Sequence, residues 1–344
     1  VLNTMNNTFL KACRGEKTDY TPVWFMRQAG RYLPEYQAVR GKVSFLELCK
    51  NPELCTEVTL QPIDIFGFDA AIMFSDILIA MEAMGLKLEF HEGRGPVFPD
   101  PVRVQADVDK LIIPDPEETM PFVMETIRLL RKELKVPLIG FSGAPFTLAT
   151  YLIEGGSSKV FLETKRMAFQ APELYHNLLS KITRCTSLYL QAQARAGAQA
   201  LQIFDSWAGI WGPEDFERFA LPYVQSIISD LRKMTDIPII YFANNGSTLI
   251  DHTKRAGADV LGLDWRLNIG DAVQRVGNHA VQGNLDPLAL FLPKEELEKR
   301  IKQLLEDARD AKGHIFNLGH GILPQTSPDQ ARIAVEAVHR FSGK

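Results

Sequence analysis

The chain has 344 residues, 46% of them hydrophobic and 23% charged, which is enough apolar surface for a large buried core. A formal net charge of −4 provides no global basic field, so nucleic acid and anionic membranes are not expected partners and any anion must be captured locally. No run of about 18 apolar residues and no charged-apolar-small leader occurs, which predicts neither a transmembrane helix nor a signal peptide.

Short apolar, β-rich runs alternate with long amphipathic stretches. The runs are residues 21–25 (TPVWF), 70–74 (AAIMF), 137–141 (PLIGF), 200–204 (ALQIF), 237–242 (IPIIYF), 259–264 (DVLGLD), 279–283 (HAVQG) and 314–319 (HIFNLG). Eight such runs spaced by helix-length segments predict parallel strands buried on both faces. The stretch from Pro172 carries apolar residues at Leu174, Leu178, Ile182, Cys185, Tyr189, Ala192 and Ala196, which is helical period. The stretch PKEELEKRIKQLLEDA repeats that period through Leu297, Ile301, Leu304 and Ala308. Pro213 and Ser327-Pro328 read as helix starts, and Gly197, Gly257 and Gly277 as helix stops. A short echo links RAGAQALQIFDSW (195–207) to RAGADVLGLDW (255–265), as expected of neighbouring units doing one structural job.

Together these predict a single (β/α)8 barrel domain over residues 1–344, because right-handed crossovers put every helix outside a closed parallel ring. The rival is an open doubly wound sheet, which would carry a GxGxxG turn after its first strand; WFMRQAGRY has none. The four cysteines, Cys13, Cys49, Cys55 and Cys185, form no CxxC pair and read as free thiols in a reducing compartment. The expected location is the cytoplasm, or a plastid stroma if a leader was removed.

Barrel enzymes keep their active sites at the C-terminal ends of the strands, so the residues there are candidates by position alone. They are Arg27, Gln28, Arg31 and, further on, Arg40; Ser75 and Asp76; Ser142, Thr147 and Tyr151; Asp205, Ser206 and Trp207; Asn244 and Asn245; Asp264 and Trp265; Asn284 and Asp286; Asn317 and His320. Arginine presents a planar fork that pairs carboxylates at any working pH. The apolar or small neighbours Trp24, Phe25, Met26, Ala29 and Gly30 favour a ligand-binding cluster over a solvated helix face. An acidic chain with a local arginine cluster implies a small polyanion. Asp76 reads equally as a helix N-cap or as a carboxylate stabilising a cation in the barrel mouth. His320, in NLGHGI, is either a satisfied structural histidine or part of an anion-binding glycine turn.

TPVWFMRQAGRYLPEY, DAAIMFSDI, LIGFSGAPFTLATYLIEGG, IFDSWAG and FNLGHGI resemble, in order and spacing, the segments of the uroporphyrinogen decarboxylase family, from about Asn6 to Phe341. The resemblance implies a homodimer of (β/α)8 barrels with no metal and no organic cofactor. It implies conversion of the four acetate side chains of uroporphyrinogen III to methyls, giving coproporphyrinogen III for haem and chlorophyll synthesis. By the same resemblance Arg27, Arg31 and Arg40 bind substrate carboxylates, and Asp76 lies beneath the macrocycle and accepts its pyrrole N–H groups. Asp76, Arg27 and Arg31 carry the catalytic step. Tyr151, Ser206 and His320 line the cleft, and Phe45 matches an apolar cleft residue. The strand-5 loop, FANNGSTLI, receives no role.

The implied chemistry suits these residue types. Protonating a ring carbon makes the pyrrole cationic and supplies an electron sink for loss of CO2, and an ionised Asp76 lowers the energy of that cation. The proton donor is open among a carboxylic acid, an arginine-linked water and a substrate carboxyl. A corrinoid-dependent methyltransferase would need zinc ligands at late strand ends, where no cysteine falls. A non-catalytic tetrapyrrole carrier would use the arginines but have no need of Asp76.

Overall fold

The computed structural model describes residues 5–91, 93 and 95–343. In chain order the strands are β1 (Ala71–Ile72), β2 (Glu89–His91), β3 (Gly95–Val97), β4 (Leu138–Gly143), β5 (Ala200–Asp205), β6 (Ile239–Ala243), β7 (Val260–Gly262), β8 (Ala280–Gln282) and β9 (His314–Ile315). Seven of them form one parallel sheet ordered β1-β4-β5-β6-β7-β8-β9, so each predicted apolar run after the first becomes a strand in its expected place.

The first run, residues 21–25, pairs only through a parallel bridge from Val23 to Phe316. It nevertheless closes the ring. Phe316 N–H donates to Pro22 O at 2.8 Å on one side, and Asp69 N–H donates to Val23 O at 2.9 Å on the other. A longer ladder is blocked for two reasons. Pro22 has no N–H to give, and the N–H of Val23 is taken by the Asp69 carboxylate at 2.9 Å. The result is an eight-stave barrel in which one stave is a single bridge.

The register separates the two faces of the staves. Phe141 pairs with Gln202 and Gln202 with Ile240, and Phe204 pairs with Phe242. The Gln202 set points inward: Trp24 Nε1 donates to Gln282 Oε1 at 2.9 Å, and Gln282 Nε2 donates to Gln202 Oε1 at 3.1 Å, a chain of buried groups across the barrel. The alternate residues, Leu201, Ile203 and Tyr241, are buried in the layer between barrel and helices, with Leu178, Ile182 and Tyr189 of the helix Pro172–Ala196. That helix begins with proline in its first turn and ends at Gly197, whose φ of 120° suits glycine. The predicted charged stretch forms the helix Lys294–Asp307 and buries Leu297, Ile301 and Leu304. Truncating one such wholly buried leucine, Leu178→Ala, would lose about 2–5 kcal/mol.

The hairpin of β2 and β3 was not expected from the polar, glycine-rich sequence around residues 89–97. It bridges from Val97 to Gly156, just beyond the helix Pro145–Glu154. Gly156 is required there: a Cβ would come 2.8 Å from Pro96 O, and its φ is +153°. The hairpin thereby lies against the helix that carries Tyr151.

Candidate active site

The turn after the first stave is built to present one arginine. Arg27 has φ of 62°, a left-handed conformation that costs a non-glycine residue about 1–3 kcal/mol. Gln28 holds the turn in place. Its Oε1 accepts from Phe25 N at 3.1 Å, its Nε2 donates to Ala70 O at 3.1 Å, and Tyr32 OH donates to its carbonyl at 2.9 Å. Gln28, wholly buried, is therefore a clamp rather than a ligand-facing group. The Arg27 side chain runs across Gly321, where a Cβ would meet its Cδ at 2.4 Å.

The Arg27 charge reaches three groups from different staves. It pulls the Asp76 carboxyl, the Tyr151 hydroxyl and the His320 imidazole towards lower values, which puts all three within its electrostatic reach. Asp76 follows β1, and burial pushes its carboxyl up, opposed by a hydrogen bond from Leu78 N–H and by Arg27. The Leu78 bond is 2.8 Å to Asp76 Oδ1, just before the helix Ile79–Ala83. The N-cap of that helix is Leu78, with no side-chain capping bond, so Asp76 is not the helix cap its position suggested; its carboxylate closes the turn ahead of the helix, within reach of the Arg27 charge. Tyr151 is half-buried, and burial and the Asp76 charge push its hydroxyl up. Its ring meets Trp207 at 5.8 Å. Ser206 lies beside Trp207, half-buried, with its carbonyl accepting from Asn244 Nδ2 at 3.1 Å.

His320 sits on the opposite flank of Arg27. Burial and the charges of Arg27 and Arg266 push its imidazole down to about 4, so it is neutral at physiological pH. Its ring continues an aromatic floor: Phe141 to Phe204 at 5.6 Å, Phe204 to Phe242 at 6.2 Å, and Phe242 to His320 at 6.4 Å. The glycines beside it have steric reasons. A Cβ on Gly319 would come 2.4 Å from Trp265 N, and one on Gly321 would strike Arg27.

Arg31 and Arg40 gather elsewhere on the same side, around Tyr36, whose acidity both charges affect. Arg31 is exposed, and Arg40 donates to Val43 O. Tyr36 packs on Phe74 at 5.5 Å, and Phe45 joins Phe74 at 6.1 Å and Phe90 at 4.6 Å. Phe45 thus belongs to an aromatic wall completed by the unexpected hairpin. Cys49, buried behind it, feels both Asp76 and Arg40, which ties the second arginine group to the first.

Several residues singled out by position are spent on hydrogen bonds that hold the strands and loops. Asp205 is on the helix-facing side of β5; Thr147 Oγ1 donates to its Oδ1 at 2.6 Å and Tyr241 OH to its Oδ2 at 2.8 Å. Ser142 shares that parity and is wholly buried. Asp264 accepts from Gly246 N and Arg266 N, both at 2.8 Å, so the echoed acids Asp205 and Asp264 both pin loops. Asn284 binds the carbonyls of Asp264 and Leu267, Asp286 caps the turn Pro287–Phe291, and Asn317 accepts from Met26 N at 3.0 Å. Among the described residues no three His, Cys, Asp or Glu side chains gather as a metal-ligand set, and all four cysteines are buried.

Residues 4–341 match the family model described as uroporphyrinogen decarboxylase (URO-D). The uroporphyrinogen decarboxylase of Desulfotalea psychrophila is 71% identical over 340 residues, spanning 99% of this chain and 100% of that protein. That of Geobacter metallireducens is 56% identical over 343 residues, spanning 99% and 100%. Among solved structures, a methyltransferase from Methanosarcina mazei superposes with a TM-score of 0.81 at 21% identity, over 98% of this chain and 99% of that one. A B12-independent methionine synthase from Shewanella sp. W3-18-1 superposes at 0.60 and 11% identity, over 87% and 90%. At those identities the structural likeness concerns the fold.

Proposed function

The chain belongs to the uroporphyrinogen decarboxylase family, carboxy-lyases of tetrapyrrole biosynthesis with a TIM-barrel fold, and we propose that its reaction runs over Asp76 in the mouth of the barrel. The observation that carries this reading is a single carboxylate, raised by burial, that the Arg27 charge reaches together with Tyr151 and His320.

The four pyrrole N–H groups of uroporphyrinogen point to the centre of a flexible ring, and one ionised carboxylate can accept from all of them. Protonation of a ring carbon beside an acetate arm makes that pyrrole cationic. The bond to the carboxylate then breaks, its electron pair neutralises the ring, and CO2 leaves. A second proton, delivered to the exocyclic carbon, and loss of the first complete the methyl group. Asp76 lowers the energy of the cation, with each 1.4 kcal/mol worth about tenfold in rate. Arg27 and Arg31 steer the acetate, Arg40 takes a second carboxylate, and Tyr151 and Ser206 contact side chains at the edge. His320, neutral at working pH, offers a hydrogen bond without a charge. Phe45 and the aromatic floor exclude water, which favours neutral CO2 over a buried carboxylate.

The chain acts as one barrel unit, and as a homodimer. Val160, Leu162 and Phe169, exposed by 75%, 54% and 55%, are apolar side chains close in the chain that a second copy would cover. Light scattering of the purified protein should read twice the chain mass. The bacterial relatives support work in the cytoplasm, and no described helix is long and apolar enough to cross a membrane. The direct test is incubation of metal-stripped protein with uroporphyrinogen. Stepwise loss of carboxylates by mass, with CO2 released, is expected; binding without CO2 would make the protein a carrier.

A further inference from the structure

We propose that Arg266, in the loop after β7, binds a carboxylate at the far edge of the macrocycle, away from the acetate being lost. This rests on the proposed function and extends its binding set to a residue that motif and position had not singled out.

In the closed ring β1 and β7 are four staves apart in either direction, so the loops bearing Asp76 and Arg266 stand on opposite sides of the mouth. A broad ligand centred between them has to present its periphery to both. The loop of Arg266 is fixed. Asp264 accepts from its backbone N–H at 2.8 Å, and the backbone at Trp265 is pressed against Gly319, in the turn of His320. The guanidinium lies on the Trp265 ring, 3.9 Å from its centre. Stacking of this kind orients the fork while leaving its edge open.

The fork is under-used. Its one described carboxylate contact is 3.5 Å, to Asp264 Oδ1, with the Arg266 side chain 43% exposed and that of Asp264 2%. Both Asp264 oxygens already accept backbone N–H groups. Arg27 and Arg266 also both act on the His320 imidazole. Two guanidinium charges within reach of one neutral ring make a local positive field on a chain of net charge −4, as a polycarboxylate requires.

The test compares Arg266→Gln and Arg266→Lys with the parent protein. Two readouts are used: steady-state decarboxylation of uroporphyrinogen, and fluorescence titration with uroporphyrin, which keeps the carboxylates and does not react. For Arg266→Gln, KM and the uroporphyrin Kd should both rise ~10-fold, as for one partly exposed charged hydrogen bond. Its kcat should stay within about twofold and its melting temperature should not move, while Arg266→Lys should recover part of the affinity. An unchanged Kd in Arg266→Gln overturns the proposal. So does a loss confined to kcat, which would put Arg266 at the reacting centre. Failure of the parent protein to release CO2 would instead sink the decarboxylase reading, while the Kd comparison would still judge Arg266.

Discussion

Asp205 ends β5 and Asp76 follows β1, and burial raises both carboxyls. Their surroundings differ in one respect that decides their roles. Asp76 is half-buried and within reach of the Arg27 charge, with one backbone N–H as its fixed partner. Asp205 is wholly buried on the helix side and is saturated by the hydroxyls of Thr147 and Tyr241. The first has lone pairs to offer a ligand; the second joins β5, β6 and the helix Pro145–Glu154. Strand parity turns Asp205 towards the helices, and on the proposed reading it leaves Asp76 to serve the mouth.

Exchanging the two carboxylates for neutral groups should separate activity from stability. Asp76→Asn should lower kcat about 10²–10³-fold while leaving uroporphyrin affinity and urea midpoint close to those of the parent. Asp205→Ala should do the reverse: it strands two buried hydroxyls at about 1–3 kcal/mol each, visible as a lower urea midpoint at constant slope. If Asp76→Asn unfolds the protein, or Asp205→Ala removes activity from protein that is still folded, the distinction between them fails.

The pH dependences sharpen the same contrast. The Asp205 carboxyl is pushed up to about 6, so the folded chain holds that proton more tightly than the unfolded chain does. Its contribution to stability is therefore most favourable below pH 4 and falls as pH rises towards 6, by about 3 kcal/mol for two units. Asp205→Asn has no such loss, so its stability relative to the parent should improve between pH 4 and pH 7 in urea titrations. For Asp76 the readout is rate. Burial raises its carboxyl, opposed by the Leu78 N–H and by the Arg27 charge, so Arg27→Gln should move the acid limb of kcat/KM to higher pH. An acid limb that stays in place would disconnect the two residues.

Much of the barrel could be read from apolar runs and helix stops, because central parallel strands are apolar on both faces and stand out between amphipathic stretches. The same property hid the parity: ALQIFDSW shows no alternation, so Asp205 and Ser206 looked equivalent. The first run looked like a full strand, but Pro22 and the Asp69 carboxylate reduce it to one bridge, a contact set that spans 46 residues. Gln28 shares a motif with Arg27 and Arg31, yet its amide is spent inside the turn. The hairpin carrying Phe90 was signalled only by the short alternation Leu86-Lys87-Leu88-Glu89-Phe90-His91, which is easily lost among the longer apolar runs. Arg266 was invisible because only closure of the ring brings its loop against the turn of His320.

The arrangement of ligand and carboxylate can be observed directly in a crystal structure of the protein with coproporphyrinogen bound under reducing conditions. The pyrrole nitrogens should lie at hydrogen-bond distance, about 2.7–3.2 Å, from the Asp76 carboxylate, with peripheral carboxylates on Arg27, Arg31 and Arg40. A macrocycle bound with its nitrogens turned away from Asp76, or seated outside the barrel mouth, would contradict it.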